Sequence, residues 1–85
     1  MNISVLTPDR ELYTGSINSV SVPGVEGKFQ VLRNHAPIVS ALTEGPVTIR
    51  RADGQLITFT IERGFLEVLN NEVSLLVQGA ENYRD

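Results

Sequence analysis

The chain has no cysteine and no tryptophan, one histidine and one lysine. Without cysteine there is neither a disulfide framework nor a thiolate zinc site, the two devices that most often hold very small domains together. Stability must come from packing. The one lysine, Lys28, belongs to a set of seven basic residues facing ten acidic ones, for a net charge of -3. That balance provides no basic stripe to release counterions from a phosphate backbone, so nucleic acid is not an expected partner. Two tyrosines and three phenylalanines are few for stacking successive bases, and Phe29, Phe59 and Phe65 all occupy strand-like positions that read as core. No apolar run approaches the roughly 20 residues a spanning helix requires; the uncharged stretch 34–43 is broken by His35 and Pro37. The opening Met1-Asn2-Ile3-Ser4 lacks a basic segment followed by an apolar one, so it does not read as a secretory signal, and a cytosolic setting is expected.

What is present is the composition of one folded domain. Eighty-five residues, 41% hydrophobic and 20% charged, suit a single core and exclude a disordered tail or a collagen-like repeat. Turn signals recur at short intervals: Thr7-Pro8-Asp9, Thr14-Gly15-Ser16, Pro23-Gly24, Asn34 to Pro37, Glu44-Gly45-Pro46, Asp53-Gly54, Gly64, Asn70-Asn71 and Gly79. This is a strand rhythm. The segments between are rich in Val, Ile and Thr, whose branched side chains suit a pleated surface and lose freedom in a helix. Val47 and Ile49 alternate with Thr48 and Arg50, and Ile57, Phe59 and Ile61 with Thr58 and Thr60, so each segment buries one face. Asp53-Gly54 predicts a tight hairpin with both central residues at positive φ, and Asn70-Asn71 a second one. Arg50-Arg51 reads as edge-strand protection. The expected architecture is all-β, a flattened sandwich of two antiparallel sheets built from nine to ten short strands, with residues 1–78 as the sandwich and 79–85 as a polar C-terminal tail.

Chemistry is scarce. Nucleophilic catalysis needs a nucleophile beside a base, and the only imidazole, His35, lies in a Pro-bounded turn with no partner identified. One histidine is also too few for the usual zinc ligand sets. Gly27-Lys28 looks like the end of a phosphate loop, but Val22 and Phe29 stand where the pattern needs Gly and Ser or Thr. The glutamates are isolated at turns or alternating positions, where solvated charge is the expected state. No catalytic, metal or cofactor residue is therefore expected, and so compact a domain is expected to work by presenting surface to a partner.

The stretch Pro23-Gly24-Val25-Glu26-Gly27-Lys28-Phe29-Gln30-Val31-Leu32-Arg33-Asn34-His35-Ala36-Pro37 resembles the signature segment of the epsilon subunit of F-type ATP synthases, approximately P-G-x-E-G-x-F-G-V-L-P-G-H-A-P. Four further blocks follow the family in order: Val5 to Arg10 leading to Tyr13-Thr14-Gly15, Leu42-Thr43-Glu44-Gly45 to Ile49, Gly64 to Val68, and Asn71 to Leu76. The resemblance extends to about Gln78. Gln30 replaces the usual Gly, Arg33-Asn34 replaces Pro-Gly, and Lys28 stands where relatives are often acidic; Asn34 is the non-glycine residue best suited to a left-handed turn there.

The resemblance implies two five-stranded sheets and a non-catalytic rotor subunit at the foot of the central stalk. Such a subunit binds the gamma subunit and the c-ring, and helps couple proton translocation to ATP synthesis in the alpha/beta head. It needs no cofactor and reaches the membrane only through the complex, on the cytoplasmic face of the bacterial inner membrane. Most relatives continue into a two-helix hairpin; a natural chain of 85 residues would be a short form without it, whereas in a longer parent chain the hairpin would follow Asp85. The family's rotor interface maps onto Glu26, Gly27, Lys28, Asn34, His35 and Pro37. A second reading is a lipoyl- or biotinyl-type carrier domain modified on Lys28, the one lysine available, although Gly27 and Phe29 are unlike the flanks of such a site.

Overall fold

A computed structural model covers Met1 to Asp85 and consists of strands, turns and no helix. The strands are β1 (Asn2–Leu6), β2 (Glu11–Gly24), β3 (Gly27–Leu32), β4 (Ile38–Leu42), β5 (Gly45–Arg51), β6 (Leu56–Ile61), β7 (Arg63–Leu69), β8 (Glu72–Gln78) and β9 (Glu81–Arg84).

The 14-residue β2 organises the molecule. Its first part pairs with β1, from Asn2↔Ser16 to Leu6↔Glu11. Its second part pairs with β3 on one side and β5 on the other. It therefore belongs to two layers, one ordered β2-β1-β8-β7-β4 and the other β3-β2-β5-β6-β9. Nine strands fill ten places, which gives the two five-stranded sheets the resemblance implies. The change of layer needs a bulge, and the register shifts between Ile17 and Ser19 where they face Arg51 and Arg50. The extra residue moves the inward set from odd to even positions: Ile17 is buried before it, Val20 and Val22 after it. Otherwise one of the two halves would turn its apolar residues to solvent.

Every pairing is antiparallel except β1 with β8, which is parallel from Asn2↔Glu72 to Leu6↔Leu76. Parallel neighbours need a long connection, and here almost the whole chain lies between them. Seventeen buried apolar residues from eight of the strands form one core between the layers, with Ile17, Ile49, Ile57, Phe59, Leu66 and Leu75 among its largest members.

Several turns differ from expectation. Asn70 and Asn71 form the expected two-residue hairpin, with φ of 50° and 63°. Asp53-Gly54 does not. Only Gly54 has positive φ, at 91°; the Gly54 N–H donates to Arg51 C=O at 2.9 Å, and Arg51 N–H to Gln55 C=O at 2.8 Å. This is a three-residue loop, a type I turn closed by a left-handed glycine, and Asp53 Oδ1 accepts the Gln55 N–H at 3.0 Å instead of adopting positive φ itself. Arg50 and Arg51 lie on β5, between β2 and β6, so they guard no edge; Arg51 pairs with Asp53 at 3.1 Å. Thr14-Gly15-Ser16 and Gly64 are strand interior. Residues 79–85, expected as a tail, include β9, which pairs with β6 and stacks Tyr83 on Phe59 with centroids 5.9 Å apart.

Candidate functional site

The segment Glu26–Pro37 is not a single loop. Val25 and Glu26 turn β2 into β3, and Gly24 pairs with Gly27 across that turn. Glu26, Gly27 and Lys28 are therefore exposed at one end of β3. Asn34, His35 and Pro37 follow its other end, about 17 Å away at roughly 3.3 Å per residue. The structure thus brings together two groups of three residues and holds them at opposite ends of one strand.

The second group is fixed by a partner far away in sequence. Asn34, at φ 68°, donates its backbone N–H to Asn71 Oδ1 at 2.7 Å. Asn71 Nδ2 donates back to Asn34 Oδ1 at 3.1 Å. Asn71 also accepts the Asn2 N–H on its backbone carbonyl at 3.0 Å, so the β3–β4 turn, the β7–β8 hairpin and the start of β1 are tied at one end of the sandwich. His35 N–H closes the turn onto Leu32 C=O at 3.1 Å. Its Nδ1 lies 2.7 Å from Ala36 C=O; a carbonyl only accepts, so Nδ1 carries the hydrogen of this contact. Within the core-facing alternation of β3, Val31 is buried while Leu32 is 53% exposed.

A larger surface was not apparent from sequence. Across the outer face of β4, β7, β8 and β1 the registers align Ala41↔Phe65, Phe65↔Leu76 and Leu76↔Leu6. Phe65 is 58% and Leu76 50% exposed, and with Pro8 and Arg63 they line a depression of about 400 Å³. Phe65 is thus not core. Gly64, Leu66 and Val68 take the inward positions of β7, which leaves the phenylalanine outside. The clue in the sequence is parity, since an aromatic one position out of phase with Leu66 and Val68 must face away from them. No three His, Asp or Glu side chains converge anywhere in the chain.

A family model described as "ATP synthase, Delta/Epsilon chain, beta-sandwich domain" matches residues 1–83. The chain belongs to this family. Among curated relatives, the ATP synthase epsilon chain of Leptospira borgpetersenii is 45% identical over 76 residues, covering 89% of this chain and 59% of the relative. That of Chlorobaculum tepidum is 42% identical over 76 residues, covering 89% and 86%. The chloroplastic epsilon chain of Medicago sativa is 36% identical over the whole of this chain and 62% of its own length. The chain therefore spans about three-fifths of the Leptospira relative but most of the Chlorobaculum one. The fold is likewise that of a chain in the Euglena gracilis mitochondrial ATP synthase, with a TM-score of 0.83 at 19% identity over 93% of this chain and 51% of that one. A chain of the Tetrahymena thermophila mitochondrial central stalk and c-ring gives 0.80 at 18% identity, covering 96% and 66%. With this family in place, the carrier reading of Lys28 is set aside.

Proposed function

We propose that the protein is the sandwich of a central-stalk rotor subunit of an F-type ATP synthase, a non-catalytic part that binds gamma and the c-ring. On this reading it helps couple proton translocation to ATP synthesis from the cytoplasmic face of a bacterial inner membrane. The observation that carries the proposal is the apolar row Leu6, Leu76, Phe65 and Ala41 across four paired strands, with Phe65 and Leu76 exposed at its centre and Leu6 and Ala41 half-buried beside them. An isolated domain has no use for a half-exposed Phe–Leu pair at the centre of a sheet face, whereas such residues anchor subunit interfaces. Glu26 and Lys28 beside Gly27 at one end of β3, and Asn34 and His35 beside Pro37 at the other, are polar contacts able to engage a second partner. The rigid sandwich between them suits force transmission, because close-packed interiors have low compressibility.

Calorimetric titration with purified gamma tests the assignment of the face. Phe65→Glu is expected to weaken binding by about 2 kcal/mol or more, the scale of an interface anchor, with thermal unfolding little changed because the side chain is outside the core. Undiminished binding by Phe65→Glu would remove the face from the interface.

A further inference from the structure

We propose that the free edge of β4 receives an extended strand from a partner polypeptide, which adds to the sheet through its backbone. β4 pairs with β7 along its whole length but meets β2 only at Gly24↔Leu42. Beyond that point its second edge is open. Val25 N–H donates to Ala41 C=O at 3.1 Å and Thr43 N–H to Pro23 C=O at 2.8 Å, so the odd-numbered residues of β4 aim their main-chain groups away from β7. By the alternation of a strand, Val39 N–H and C=O point the same way. Neither has a hydrogen-bond partner on that side, and the Ala41 N–H is equally unclaimed.

Natural edges are usually blunted with charge, proline or a bulge. β3, at one margin of the other layer, carries Lys28, and β9, at its opposite margin, carries Glu81 and Arg84. The sequence of β4, Ile-Val-Ser-Ala-Leu, has none of these devices and a regular register. The unguarded edge also borders a groove. β3 and β4 both meet β2 at Gly24 and separate from there, leaving a space of about 590 Å³ lined by Val25, Glu26 and Phe29 on one side and Ile38, Val39 and Ser40 on the other. Val25 is 60% and Val39 70% exposed.

These walls select the occupant. Val25, Glu26 and Phe29 of the β2–β3 hairpin wall the groove opposite β4, and a strand already backed by its own sheet would need room for a further strand about 4.8 Å beyond it, so the groove favours one unbacked strand over an intact second copy. A single extended segment would satisfy Val39 and Ala41 with its backbone and place alternate apolar side chains against Val25 and Val39.

A short, end-blocked peptide of alternating valine and threonine is the probe, titrated into the isotopically labelled protein and followed by amide NMR. The proposal expects the Val39 and Ala41 amide protons to move downfield and exchange more slowly. Binding should weaken about tenfold or more in Val39→Pro, which deletes only the outward donor. The same peptide N-methylated at every residue, retaining its side chains but not its donors, should not bind; this arm stands even where Val39→Pro perturbs the fold. Equal binding by the N-methylated peptide, or shifts confined to Phe65 and Leu76, would overturn strand addition, as would absence of binding. Phe65→Glu should still take up the peptide, so the edge and the proposed gamma-binding face succeed or fail separately.

Discussion

Asn71 gives the β7–β8 hairpin its second left-handed residue, accepts the β1 amide and clamps Asn34 through both side-chain atoms. Asn71→Ala should lose the two side-chain hydrogen bonds and the tolerance for positive φ, costing about 1–2 kcal/mol in urea unfolding. It should also speed hydrogen exchange at Asn34, and a variant as stable as the parent with Asn34 unchanged would refute the clamp. Tyr83 bears on stability through pH. Its burial raises the phenol above its ordinary pKa; the charges of Asp85 and Tyr13 add to this and Arg51 opposes it. The folded protein therefore holds the proton more tightly than the unfolded chain. That contribution is complete below about pH 10, the ordinary tyrosine value, and is lost as pH climbs through the raised folded value. Urea midpoints measured from neutral pH upward should fall more steeply above about pH 10 in the parent than in Tyr83→Phe; parallel curves would contradict this. At this scale the left-handed Asn34 was legible because few residues other than Asn accept that conformation. Its partner was not, because 37 positions separate the two and no local pattern links them.

Among the elements, β2 is the decisive one. Its bulge at Asn18 keeps Ile17, Val20 and Val22 all inside. Deleting Asn18 would remove the bulge, and with it the bend at the change of layer, while leaving Ile17, Val20 and Val22 on one face by plain alternation, so the variant should lose the parent's cooperative thermal unfolding by calorimetry. A cooperative transition near the parent's would show that the bulge is dispensable. Gly64 has a different constraint. A Cβ there would run into the Leu76 carbonyl oxygen and lie 3.2 Å from Val77 Cα, both backbone atoms with little freedom to yield. Gly64→Ala should cost about 1–3 kcal/mol, the usual penalty for overpacking, read as a shift in the denaturation midpoint. Strand existence was legible throughout from Val, Ile and Thr alternation. The failures share one cause, since a turn residue does not reveal whether tertiary packing uses it as a turn. Gly15 and Gly64 proved to be close-packing positions inside strands, Asp53-Gly54 took the longer loop, and β9 drew its strand character from Tyr83 meeting Phe59, a contact absent from the polar composition of the tail.

For the whole molecule, nine strands, one of them counted in both layers, make a small rigid block with two polar ends, an apolar outer face and an open edge beside it. The all-β class and the family were both readable from the sequence, the first from periodicity and the second from ordered blocks spanning most of the chain. The face was not, because Leu75-Leu76-Val77 and Gly64-Phe65-Leu66 read as continuous apolar runs until register assigns each residue a side. Affinity purification of tagged protein from gently solubilised membranes of the source organism, with mass spectrometry of every co-purifying chain, tests whether this block is a rotor-stalk component. The rotor-stalk assignment predicts recovery of gamma, c and the alpha/beta head by the parent, and reduced recovery of gamma by Phe65→Glu. Recovery of the folded, tagged protein without gamma or c would contradict it.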